Sequence, residues 1–118
     1  MIKMKLKNEL PLIAIVLIPF VFLAYIWNDL PQKVPIHWNI NGEIDRFGNK
    51  LELILIPLLF PLMTYLIFLV VPKIDPKQQI NKFGSEKYQN LKTLIIVFMS
   101  ILAVLMIYMA KNQSLANV

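Results

Sequence analysis

Apolar positions along the chain gather into three unbroken blocks, with the polar positions in the stretches between them. The blocks are LPLIAIVLIPFVFLAYIW (10–27), LILIPLLFPLMTYLIFLVV (53–71) and TLIIVFMSILAVLMIYMA (93–110). Each is 18 or 19 residues long and uncharged, close to the ~20 residues that carry a helix across ~30 Å of hydrocarbon. Barrel strands would alternate over ~10-residue segments instead. The pattern predicts an all-α membrane protein with three transmembrane helices, an outer loop at 28–52 and an inner loop at 72–92, all in one domain spanning 1–118. The first block exceeds the ~7–15 residues of a signal-peptide core, and no small-residue cleavage site follows it, so an uncleaved span is expected.

The stretch LPQKVPIHWNINGEIDRFGNK (30–50) has a different period. Val34, Ile36, Trp38 and Ile40 alternate with Pro35, His37 and Asn39, which is the rhythm of a strand. Asn41–Gly42 supplies residues that accept positive φ, a hairpin turn signal. EIDRF, Glu43 to Phe47, then returns as a second short strand, and Gly48–Asn49 turns the chain back toward the membrane. Pro31 and Pro35 discourage edge pairing. A two-stranded hairpin is marginal in isolation, so this extracytoplasmic cap is expected to rest on the helix ends.

Prolines recur within the blocks. Pro11 suits a helix start; Pro19, Pro57 and Pro61 each delete an intrahelical hydrogen bond and predict kinks, serving either bundle packing or a bent cavity. No Asp, Glu, Lys, Arg or His lies inside a block, and proton relays or ion pathways need such residues. A self-contained pump or transporter is therefore not expected. No GxxxG motif offers a ready dimer face, yet three spans leave little room for a pore, and an oligomer is expected.

Composition agrees with the pattern. Hydrophobic residues make up 58% and charged residues 16%, against roughly 45–50% and 25% in soluble domains. The net charge of +5 accompanies no basic face interleaved with aromatics, so direct nucleic-acid binding is not expected. The basic residues instead set topology. Lys3, Lys5 and Lys7 precede the first block, and Lys73, Lys77, Lys82, Lys87 and Lys92 fill the second loop against Asp75 and Glu86. In the first loop, Lys33, Arg46 and Lys50 are diluted by Asp29, Glu43, Asp45 and Glu52. The N-terminus and second loop are placed in the cytoplasm, the first loop and C-terminus outside. Tyr25, Trp27, Trp38 and Tyr108 suit the interface, while Tyr65 lies deep enough to face another helix.

Neither loop advertises catalysis. The outer one has no Ser, Thr or Cys and a single His, so a nucleophile with its base is missing. His37, Glu43 and Asp45 match no zinc template; no metal, cofactor or enzymatic activity is expected. Glu43, Asp45 and Arg46 suit a local ion pair or cap. Trp38 and Phe47 suit either the interface or a partner's grip. His37, Trp38, Asn39, Gly42, Glu43, Asp45 and Arg46 are the candidate peptide contacts. In the inner loop, Lys73, Asp75, Lys77, Lys82 and Lys87 are candidates for a cytoplasmic partner or anionic lipid. Asp75 before Pro76 reads as a helix start, and Gly84 as an interruption.

These loops also carry a resemblance. Leu30, Pro31, Val34, Pro35, His37, Asn39, Gly42, Asp45, Phe47 and Lys50 resemble the "LP…VP.H.n..G..D.y..K" signature of an N-terminal membrane domain in the SdpI family, with Phe47 at a position more usually tyrosine-like. Pro72, Asp75, Pro76, Phe83 and Tyr88 are similar to that family's inner-loop segment. The resemblance extends over about residues 10–110. It implies a bacterial multispanning membrane protein that gives immunity to a secreted peptide toxin and signals its presence by recruiting an ArsR-type repressor. The second set of spans and the "GN…N…G.RTP" segment of full-length relatives do not occur in this sequence. A stand-alone short member, a truncated chain and one half of an oligomer all fit that departure. A structural or accessory subunit without its own ligand is the alternative reading.

Overall fold

The computed structural model describes the backbone of residues 5–116 and side chains through Gln113. Lys3, counted above toward orientation, lies outside the described residues. Three helices among these residues are long and apolar enough to cross a membrane, at Leu6–Asp29, Lys50–Ile74 and Ser85–Gln113. The protein is an integral membrane protein of three spans with a small hairpin at one end.

The first helix, Leu6–Ile26, runs as an uninterrupted α-helix through both Pro11 and Pro19 and closes in a 3-10 turn at Trp27–Asp29. The second span absorbs its prolines differently. It is continuously helical from Lys50 to Ile74, but a π-turn at Leu58–Leu62 follows Pro57 and contains Pro61. Within it the Met63 N–H reaches back five residues to the Leu58 carbonyl. Widening the turn in this way lets the backbone bypass donors that proline lacks. Pro19, Pro57 and Pro61 are all fully buried, so these prolines pack the bundle interior. The third helix, Ser85–Ala116, is 32 residues long and forms the spine of a molecule 54 Å in its longest dimension.

The first and third helices run in the same direction, and the second runs against both. Near one end, Leu12 and Val16 cluster with Tyr65 and Ile96; near the other, Leu23 and Ile26 cluster with Leu53, Ile56, Ala103, Ile107 and Ala110. Buried positions on the first helix are Glu9, Leu12, Val16, Pro19, Leu23 and Ile26, stepping by threes and fours. On the third helix they are Tyr88, Lys92, Ile96, Ser100, Ala103, Ile107 and Ala110. Steps of three and four form a narrow seam between neighbouring helices, and Ala103 and Ala110 let the backbones approach.

The hairpin forms as its period predicts, with β1 at Lys33–Trp38 and β2 at Ile44–Asn49 in antiparallel pairing. Three details differ from the sequence expectation. The register shifts on either side of His37, and Ile40, assigned by alternation to the packed side, is fully exposed at the tip. Alternation fails there because the chain is already turning: the Asn39 N–H donates to the Glu43 carbonyl at 2.8 Å. Gly48–Asn49 also does not form a separate turn. Both residues complete β2, and the Asn49 side chain then accepts from the Leu51 N–H to start the second span.

In the inner loop, Asp75 does not open a helix at Pro76. The short helix begins later, at Gln79–Phe83, and the Asp75 carboxylate accepts from the Ile80 N–H at 2.7 Å. Gly84, at φ +113°, separates that helix from the third span.

The seam yields a stability prediction. Ala103 is completely buried while Val21 on the first helix faces outward at 66% exposure. Ala103→Leu is expected to lower stability by about 1–3 kcal/mol through overpacking, with Val21→Leu nearly neutral. Unfolding of the reconstituted protein by sodium dodecyl sulfate measures both; equal effects would mean the seam is not packed as described.

Candidate functional site

The sequence candidates of the outer loop converge on the hairpin, but they divide into residues that build it and residues that it displays. Asn39 is a builder. Its side-chain oxygen accepts from the Asn41 and Glu43 N–H groups at 2.9 and 3.0 Å, while its carbonyl accepts from Gly42 at 2.9 Å. Gly42 takes φ +78° with nothing within 4 Å of where a Cβ would stand, so its requirement is conformational and not steric. Trp38 is half-buried against the cluster that holds Leu23, Ile26 and Ile107, and its indole N–H donates to Gln113 near the end of the third helix at 2.5 Å. That bond ties the hairpin to the far end of the chain and removes Trp38 from the freely displayed set.

Further attachments come from Val34, Pro35 and Lys50. Val34 and Pro35 are buried. The Lys50 ammonium donates to the Trp27 and Leu30 carbonyls at 3.2 and 3.4 Å and lies 4.7 Å from the centre of the Trp27 ring. A cation suits the free carbonyls at a helix C-terminus, so Lys50 caps the first span from across the loop.

The displayed face carries His37, Glu43, Asp45 and Arg46, all exposed. His37 Nδ1 lies 2.6 Å from Asp45 Oδ1. Arg46 reaches Glu52 at 3.5 Å, so the local pairing expected among Glu43, Asp45 and Arg46 is replaced by these two contacts. Ile40 at the tip and Phe47, beside the Lys33 ammonium at 5.5 Å, add apolar surface to the same hairpin. Below it, a cleft of about 420 Å³ is lined by Phe20, Leu23, Ala24, Trp27, Asn28 and Ile54.

A second polar cluster escaped the sequence reading. Glu9 and Lys92 each lie one residue outside an apolar block, but the helices extend past them and bury both. The spans are therefore not free of charge, as the block boundaries suggested. The Lys92 ammonium donates to both carboxylate oxygens of Glu9 at 2.9 and 3.2 Å, and the Tyr65 hydroxyl donates to one of them at 3.1 Å. Both charged side chains are 4% exposed. Each of the three spans thus contributes one residue. The depth expected for Tyr65 was the one legible signal; a Glu and a Lys at block edges read as ordinary flanking charge.

In the inner loop, Lys73, Lys77, Lys82 and Lys87 are exposed, whereas Asp75 is half-buried and engaged with the Ile80 N–H. Tyr88 is buried, donating to the Phe68 carbonyl at 2.6 Å.

Comparisons with known proteins give no activity. Residues 14–60, covering most of the first span, the hairpin and the start of the second, match a family described as Domain of unknown function (DUF1648). The chain is 36% identical over 62 residues to an uncharacterized protein of Archaeoglobus fulgidus, a stretch covering 52% of this chain and 33% of that protein. The chain thus matches about a third of that curated relative's length. No solved structure matches.

The buried cluster makes its own prediction. Removing one partner leaves an uncompensated buried charge, which costs about 3–5 kcal/mol. Lys92→Met and Glu9→Leu are each expected to destabilise on that scale, and the double variant to recover most of the loss. Stability measured by detergent unfolding across the cycle decides it; additive losses would mean the two residues act independently.

Proposed function

We propose that this chain is a non-enzymatic membrane recognition protein of the SdpI immunity and signal-sensing type, with the hairpin as its outer contact surface for a secreted peptide. The N-terminus and inner loop then face the cytoplasm of a bacterial cell, with the hairpin and C-terminus outside. One observation carries the reading. The hairpin is anchored through Val34, Pro35, Trp38 and Lys50, yet His37, Glu43, Asp45 and Arg46 stand exposed on it. Exposed ion pairs contribute only about 0–1 kcal/mol to folding, so stability alone gives little reason for this polar row. A held scaffold presenting adaptable polar groups suits recognition, because little ordering remains to be done on binding. Ile40 and the cleft beside Trp27 would take apolar side chains of a peptide arriving along the membrane.

The alternative is an accessory subunit whose hairpin only closes the bundle. Survival of bacteria challenged with the sporulation-delaying peptide toxin separates the two. Cells would express the parent, His37→Ala or Asp45→Ala at matched membrane abundance. The recognition reading expects protection by the parent and a loss of at least roughly tenfold in tolerated toxin for each variant, the equivalent of about 1.4 kcal/mol of contact energy. Equal protection by parent and variants, or none from an abundant parent, would remove the hairpin from this role.

A further inference from the structure

At the end of the bundle opposite the hairpin, charge and apolar surface coincide in a way that neither the recognition reading nor folding uses. Lys5 and Lys7 at the start of the first helix are exposed there, together with Lys73, Lys77, Lys82 and Lys87 of the inner loop. The inner loop's two acids do little to offset them: Glu86 is exposed, but Asp75 is half-buried and turned to the Ile80 N–H. The hairpin end is balanced by comparison, with exposed Lys33 and Arg46 set against exposed Asp29, Glu43 and Asp45.

The loop bearing these lysines is folded, not slack. Asp75 accepts from Ile80, the Gln78 N–H donates to the Asp75 carbonyl at 3.3 Å, and the Gly84 N–H donates to the Ile80 carbonyl at 2.9 Å. Tyr88 pins the start of the third helix to the end of the second through the Phe68 carbonyl, with the two rings 5.5 Å apart. The loop is therefore held at the span ends. Among the lysines stand two large apolar residues, Ile74 at 67% exposure, where the second span ends, and Phe83 at 48%, closing the short helix.

We infer that this end is a binding surface for anionic glycerophospholipid headgroups, with Lys73, Lys77, Lys82 and Lys87 meeting phosphates while Ile74 and Phe83 enter the acyl boundary. A cationic surface attracts an anionic leaflet and fades within a Debye length of it. Long lysine side chains at a span end reach headgroups while their stems cover apolar surface. The exposed Ile74 and Phe83 favour lipid over a soluble acidic partner: at a span end, hydrocarbon already lies within their reach.

The test uses the full chain reconstituted in phosphatidylcholine bilayers containing spin-labelled phosphatidylglycerol or phosphatidylcholine. The parent is expected to prefer the phosphatidylglycerol label by about fivefold, the factor contributed by one surface lysine, with the preference shrinking as salt is raised. Lys77→Glu with Lys82→Glu should bring it to parity, whereas Lys33→Glu at the hairpin end should leave it unchanged. Because the chain has no cysteine, Phe83→Cys accepts a single nitroxide. Relaxation of that label by oxygen more than by a water-soluble nickel complex is the expected result. An unchanged preference in the double variant, or a label sitting in water, would overturn the lipid surface and leave the lysines to a soluble protein such as an ArsR-type repressor.

Discussion

A carboxylate and an ammonium cannot both be carried into a packed membrane bundle unless they find each other, and in this protein they do so at one place only among the described contacts between spans. Glu9 and Lys92 are held at 2.9 Å with Tyr65 as the third member. The first helix supplies the carboxylate, the third the ammonium and the second the hydroxyl. Apolar packing between such helices is permissive, since one Leu or Ile face resembles another and lipid competes equally for both. A buried ion pair tolerates no such substitution of neighbours. It selects the depth at which the first and third helices meet, in the way a single polar position fixes register in a coiled coil.

Much of the architecture is legible in the sequence because it is written in block lengths and in simple periods. Three uncharged runs give three spans; alternation from Val34 to Trp38 gives the first strand; Gly42 and Gly84 mark the two places where the backbone takes positive φ at glycine. What stays hidden is which face of each span is buried. Val16 is buried and Leu17 half-exposed, yet both are simply apolar, since lipid removes the polar stripe that reveals a soluble helix's outer face. The bulk of the seam is visible only in the fold. Glu9 and Lys92 were obscured by the same logic: one residue outside an apolar run, a charge reads as an interfacial flank.

The candidate site was legible in location more than in role. The residues of 37–46 do come together on the hairpin, but Asn39 and Gly42 are consumed in making its turn and Trp38 in fastening it to Gln113. That fastening partner lies 75 residues away, beyond any local pattern. His37 and Asp45 are eight positions apart and meet because the two strands bring them to neighbouring register positions, a pairing that requires the turn to be known first. Asp75 shows the same limit in the inner loop: the Asp-Pro pair suggests a helix start at Pro76, but the helix begins at Gln79 and the carboxylate reaches forward to the Ile80 N–H.

The two ends of the molecule are joined mechanically by the parallel pair of helices. At the hairpin end, Trp38 fastens the outer loop to the third helix through Gln113, and Lys50 fastens it to the first through the Trp27 and Leu30 carbonyls. At the opposite end, Glu9 and Lys92 fasten the same two helices to each other. Sliding one helix by a single residue moves its side chains ~1.5 Å along the axis and turns the next residue ~100° toward the seam. Such a step would present Leu10 to Lys92 in place of Glu9, and the outward residues Leu17 and Ile13 in place of Val16 and Leu12. A shear between the first and third helices would therefore part Glu9 from Lys92 and leave each charge buried without its partner.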